Sequence, residues 1–232
     1  MKLTLRALAA LLGYPSAELK AHVAEVRRAL HDEKVLPQRA LEQLEPLLTE
    51  LEQEDLLDLQ AAYSELFDRS RKLSLHLFEH IHGDSRERGQ AMVDLGQQYA
   101  AHGFLLEARE LPDFAPVFIE YASCLPPEEA RELLAQPAHV FAALAERLDE
   151  RHSPVAGVFH ALLAIAAVAP DAAALAGLAG RMPDEDPAKV DEQWEEAAVT
   201  FLASAAHEMG GPTALATKSR AVNRMVDRRA KP

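Results

Sequence analysis

The chain has 232 residues and a formal charge of −13; 49% of its residues are apolar and 6% are aromatic. That length admits one large domain or two small ones, and the apolar share supports a buried core without disulfide staples. The negative balance argues against general nucleic-acid binding and against an anionic membrane surface, so a charged partner is expected to be basic.

Alanine and leucine dominate and β-branched residues are sparse, which favours helix over sheet. Cys124 is the single cysteine. It cannot form an internal disulfide, so no oxidising compartment is implied. A small buried apolar residue is the simpler reading of it than a reactive thiol.

Helical period runs through nearly every segment. Residues 4–12 form a first helix. Arg6 interrupts its apolar run and Gly13-Tyr14-Pro15 ends it early, unlike a secretory signal. Pro15-Ser16 starts a second helix to about His31, with Leu19, Val23, Val26 and Leu30 on one face. Pro37 suits the first position of a third, whose stripe is Leu41, Leu44, Leu48 and Leu51. Pro46 is expected to kink or split that helix. Residues 41–58 hold seven acidic side chains and no Lys or Arg. Such a run is a solvated helix face or, alternatively, an acidic docking surface.

The next helix runs from about Asp55 to Asp68, with Leu56, Leu59, Tyr63, Leu66 and Phe67 sharing a face. Leu73, Leu77, Phe78 and Ile81 continue the pattern to Gly83, a helix-ending residue. Asp84-Ser85-Arg86-Glu87 reads as a capping box opening a helix to about His102. Gly103 breaks it. Asp113 follows the connector Leu111-Pro112 and is expected to cap a helix through Phe118 and Tyr121. Pro126-Pro127 opens a long helix to about Arg151. Ser153-Pro154 caps another that ends near Pro170, and an alanine-rich helix spans 171–180. The apolar run from Val155 to Ala169 contains His160 and is too short to span a bilayer. A soluble, cytoplasmic protein is expected. Residues 181–186 form a polar linker, and a last helix starts at Asp186-Pro187 and stops at Gly210-Gly211-Pro212. Residues 218–231 carry six Lys or Arg against one Asp, a local +5 that leaves −18 elsewhere. That composition suggests a disordered basic tail.

Three histidines and two carboxylates fall within His76-Leu77-Phe78-Glu79-His80-Ile81-His82-Gly83-Asp84. One reading is chemical. On a helix, His76 and His80 at i and i+4 would face one way and could hold Zn²⁺, with Glu79 activating water. A third protein ligand is not evident. The second reading is a helix C-terminus, where imidazoles suit the dipole. A third is a groove, with Tyr63, Phe67 and Phe78 beside negative charge, suited to a peptide carrying apolar and basic residues. No phosphate-cradling glycine loop, GxSxG elbow or CxxC is present.

Tyr63-Ser64-Glu65-Leu66-Phe67-Asp68, the run from Ser74 to Met92, Glu110-Leu111-Pro112-Asp113 and the opening Leu11-Leu12-Gly13-Tyr14-Pro15 resemble one known family. They are similar to the NarJ-type assembly chaperones of respiratory nitrate reductase, within the wider TorD-like family of redox-enzyme maturation chaperones. The resemblance covers about residues 5–165. It implies an all-α, single-domain bundle of roughly ten helices with a flexible C-terminal tail. Residues 1–180 would form the chaperone domain, 181–211 a linker and a helix packed on it, and 212–232 the tail. It implies a non-catalytic protein with no metal and no cofactor of its own. Its partners would be the N-terminal segment of the nitrate reductase catalytic subunit and the machinery that inserts the molybdenum cofactor, with no nucleic acid and no stable membrane association. The resemblance points to His80, His82, Gly83, Asp84, Glu110, Pro112 and Asp113 as peptide-binding residues, with Tyr63 and Phe67 as apolar neighbours. A zinc hydrolase using His76, Glu79 and His80, or a chaperone for another molybdoenzyme, stands as the alternative.

Overall fold

Helix α11 (Ala156–Ala166) is the centre of the core, because its sequence is apolar nearly all round. Val158, Phe159, Ala161, Leu162 and Ile165 are all buried. It packs against α1 (Lys2–Leu11), α4 (Gln38–Gln53), α9 (Pro127–Ala135) and α10 (Ala138–Glu150). The approach to α4 is close at Gly157, where a Cβ would overlap the Gln43 carbonyl. Only glycine lets the two backbones meet there.

This computed structural model describes residues 1–69, 71–83, 85–106 and 110–179. All of them belong to one compact unit, Met1–Pro183. Among the described residues there are twelve α-helices, a 3-10 turn at Arg71–Leu73 and a single antiparallel bridge between His76 and Phe114. The expectations for 181–211 and 212–232 lie outside the described residues. None of the described helices is long and apolar enough to cross a membrane.

The all-α expectation holds, and the helix count rises from about ten because two expected helices are each split. The one expected from Pro15 to His31 divides at His22 into α2 (Ala17–Ala21) and α3 (Val23–Asp32). The long helix expected to reach Arg151 divides at Gln136-Pro137 into α9 and α10. Pro137 has no N–H for a helix interior. Pro46 does not split its helix: α4 runs unbroken through it over 16 residues, Gln38–Gln53. Leu44, Leu47, Leu48 and Leu51 are all buried, so packing outweighs the lost hydrogen bond.

The acidic run at 41–58 is not simply solvated. Arg27 of α3 pairs with Glu45 at 3.1 Å and with Glu52 at 2.5 Å. The Lys20 ammonium donates to the carbonyls of Leu51 and Glu52 at 3.0 and 3.2 Å, capping the end of α4. Glu33, after α3, accepts from the Thr4 N–H and hydroxyl, both at 2.8 Å, and so caps α1.

Candidate functional site

A groove of about 810 Å³ opens between α1, α5 (Leu56–Phe67) and α8 (Ala115–Ala122). Its floor is the segment Ser74-Leu75-His76, which precedes α6 (Leu77–His82). One wall is aromatic. Tyr63 stands 4.8 Å from Phe67, and Tyr14 meets Tyr63 edge-on at 5.3 Å. These rings are not ordinary core. Tyr14 is 54% exposed, and Tyr63 and Phe67 are half-buried. The Tyr63 hydroxyl donates to the Leu12 carbonyl at 3.1 Å, and burial pushes its pKa up to about 12. Among the described residues the rim holds Asp68, Glu110 and Glu120 against one cation, Arg6.

The floor is held by pairing across the chain. Ala115 N–H donates to Leu75 O at 2.8 Å and Leu77 N–H to Asp113 O at 3.0 Å, around the His76–Phe114 bridge. Asp113 lies beneath it, fully buried. One carboxylate oxygen accepts from the Phe78 N–H at 3.2 Å, and the other sits 3.2 Å from His76 Nδ1. Asp113 is therefore a cap, but of α6 rather than of the helix that follows it, whose N-cap is Phe114. The connector is pinned from below by the buried Tyr99 of α7 (Arg86–Ala101), whose hydroxyl donates to Pro112 O at 2.8 Å. Burial raises the Tyr99 pKa well above that of an ordinary phenol.

The expected site residues divide into three groups. Tyr63, Phe67 and Glu110 line the groove. Pro112, Asp113 and His80 are buried beneath it and cannot touch a docked chain directly. The His80 ring is 1% exposed, with Nε2 2.7 Å from Ser74 O, so it buttresses the floor. Its burial lowers its pKa and favours the neutral ring. His82 and Gly83 sit at the far end of α6, away from the groove-lining set. His82 rests edge-on against Phe78 at 5.6 Å, and Gly83 ends α6 at φ +56°. Asp84 lies outside the described residues. The position capping α7 is Ser85, one residue later than the capping box expected.

The zinc reading fails on geometry. His76 precedes α6 in extended backbone, so His76 and His80 do not share a helical face. The Nδ1 of one turns to Asp113, and the Nε2 of the other to a backbone carbonyl. Among the described residues, no three His, Cys, Asp or Glu side chains gather around a possible metal position.

Arg6, Tyr14, His76, Phe114, Val117 and Glu120 line the groove but were not singled out as peptide-binding residues from sequence. Part of the signal was present. Arg6, Ala9 and Ala10 recur at helical spacing on α1, with Gly13 just past its end, a small-residue stripe with one charge. Val117 and Glu120 share a face of α8 in the same way.

Residues 16–161 match the nitrate reductase delta subunit family. The chain belongs to that family. It is 46% identical over 194 residues to the nitrate reductase molybdenum cofactor assembly chaperone NarJ of Escherichia coli strain K12, covering 83% of this chain and 82% of that one. It is 43% identical over 148 residues to the probable assembly chaperone NarW of the same strain, 63% of this chain and 64% of that one. The probable NarJ chaperone of Bacillus subtilis strain 168 is 28% identical over 165 residues, 70% of this chain and 88% of that one. The matched span of the family takes in α5, the groove floor and α8, and so most of the groove.

Proposed function

We propose that this delta-subunit family member is an assembly chaperone that binds the N-terminal segment of a nitrate reductase catalytic subunit. It would work in the cytoplasm and hold that segment until the molybdenum cofactor is in place, before the enzyme docks on its membrane. Two relatives, named as nitrate reductase molybdenum cofactor assembly chaperones, support the chaperone role.

The observation that carries the reading is the groove itself. Among the described residues it joins half-exposed aromatic rings to a rim of three carboxylates and one arginine. A peptide with apolar residues on one side and Lys or Arg on the other fits that lining. A standard specific interface buries about 800 Å² per partner, and ordering a free segment offsets part of that gain. Rim charges mainly set on-rate and salt dependence. In this proposal Tyr63, Phe67 and Glu110 contact the client, and Pro112, Asp113 and His80 hold the floor in shape. His82 and Gly83 would serve only a client long enough to pass beyond α6.

Co-expression tests the reading. A tagged chain should retain the full-length catalytic subunit and fail to retain one lacking its N-terminal segment. Equal retention of both would refute the assignment of the segment while leaving the chaperone role intact.

A further inference from the structure

We propose that His76 is the residue through which the groove reads a hydrogen-bond donor on its client, with Asp113 as the positioning residue that aims it. The inference rests on the peptide-docking function above. Among the described residues that line the groove, His76 is the only histidine, and its side chain is 32% exposed. Its Nδ1 lies 3.2 Å from a carboxylate oxygen of the fully buried Asp113. A carboxylate only accepts, so Nδ1 carries the proton and donates. The other Asp113 oxygen is occupied by the Phe78 N–H at 3.2 Å and faces the Arg88 guanidinium at 4.0 Å. The carboxylate therefore cannot turn away from the ring. Phe114 packs on the imidazole face at 5.4 Å, tilted by 37°. The Asp113 contact and the Phe114 ring together restrain the orientation of the His76 ring.

The consequence lies on the far side of the ring. Nε2 has no hydrogen-bond partner among the described residues. In the neutral ring, with Nδ1 protonated, Nε2 is an acceptor. A carboxylate that sets one nitrogen so that the other presents a single role is a recurrent device of binding and catalytic sites. His80, four residues on, shows the contrast: it bonds a backbone carbonyl, is buried and serves the floor. Asp68, Glu110 and Glu120 add further acceptors around the same groove. The lining is rich in acceptors and poor in donors. It favours a client side chain bearing N–H or O–H, such as Lys, Arg, Ser or Thr, over an acidic one.

Two substitutions separate reading from holding. In His76→Asn the short amide can replace Nδ1 toward Asp113 but removes the atom at the Nε2 position. In His76→Gln the longer amide reaches the position of Nε2 and leaves Asp113 without its donor. Calorimetric titration of the full chain with a synthetic peptide of the catalytic subunit's N-terminal segment should show His76→Asn binding about five- to tenfold more weakly, the loss of one hydrogen bond. His76→Gln, which keeps an acceptor there but loses the contact that aims it, should fall between wild type and His76→Asn. The reverse order, or wild-type affinity in both, overturns the inference. Absence of binding by the wild-type chain would overturn the docking function instead. A readout that needs no variant is the ¹⁵N spectrum of the wild-type imidazoles. Saturating peptide should shift His76 Nε2 while Nδ1 remains protonated, and an unmoved Nε2 overturns the inference even if the variants fail to fold.

Discussion

Removing the Asp113 carboxylate should loosen the groove floor by an amount that its contacts allow to be counted. Asp113→Ala takes away the acceptor of the Phe78 N–H at 3.2 Å, a capping bond of α6 worth about 1 kcal/mol. It also strips His76 Nδ1 of its partner at 3.2 Å, another loss of about 1 kcal/mol. Arg88 keeps Glu79 at 3.1 Å, so its more distant contact with Asp113 adds little. The backbone bonds between Leu77 and Asp113, and between Ala115 and Leu75, survive. The total is about 2–3 kcal/mol, including the void left by the carboxylate. Urea unfolding should show a lower midpoint with an unchanged slope. For a domain of this size the thermal midpoint should fall by about 4–12 °C. Asp113→Asn, which keeps an acceptor, should lose about half as much. A cost for Asp113→Ala below about 0.5 kcal/mol, the range of an unremarkable surface change, would refute the role given to Asp113.

Gly157→Ala should destabilise the chain by about 2 kcal/mol or more in the same assay, because the new methyl overlaps the Gln43 backbone and α4 must move from α11. The Glu33 carboxyl is partly buried, which alone would raise its pKa, but the Thr4 hydrogen bonds hold it down to about 2. Its folded value is therefore depressed, so its contribution is present above about pH 4.5 and is lost as pH falls toward 2. Glu33→Gln should cost about 1 kcal/mol at pH 7 and converge with wild type in strong acid, as read from unfolding curves across pH. His80, lowered by burial, acts in a higher window. Its contribution is present above its unfolded value near 6.5 and is lost as pH falls through the lower folded value. His80→Gln should flatten the pH dependence of stability just below that point.

The fold was legible in the sequence because nearly every segment carries a 3.6-residue apolar period and alanine and leucine dominate. The errors fall where packing competes with local signals. Pro46 looked like a breaker, yet four buried leucines carry α4 through it. His22 looked like a helix interior and is a junction. The histidine cluster stood out in the sequence, but the roles of its members were not legible. His76 and His80 are four apart, and spacing alone would place them on one helical face. The helix begins only at Leu77, because Asp113, more than thirty residues away, caps it there. A partner at that distance leaves no local pattern. The same contact explains why Asp113 was assigned to the wrong helix. Arg6, Phe114 and Glu120 were passed over because each reads as an ordinary helix or connector residue until α1 and α8 come together.

Hydrogen exchange of the full chain with and without the client's N-terminal peptide tests most directly where the client docks. Docking in the groove predicts slowed exchange at Tyr63–Phe67, at Leu75–His76 and at Phe114–Val117. Protection confined to the surface around Asp149, His152 and His160, a separate hollow of about 520 Å³ between α4 and α11, would contradict the account.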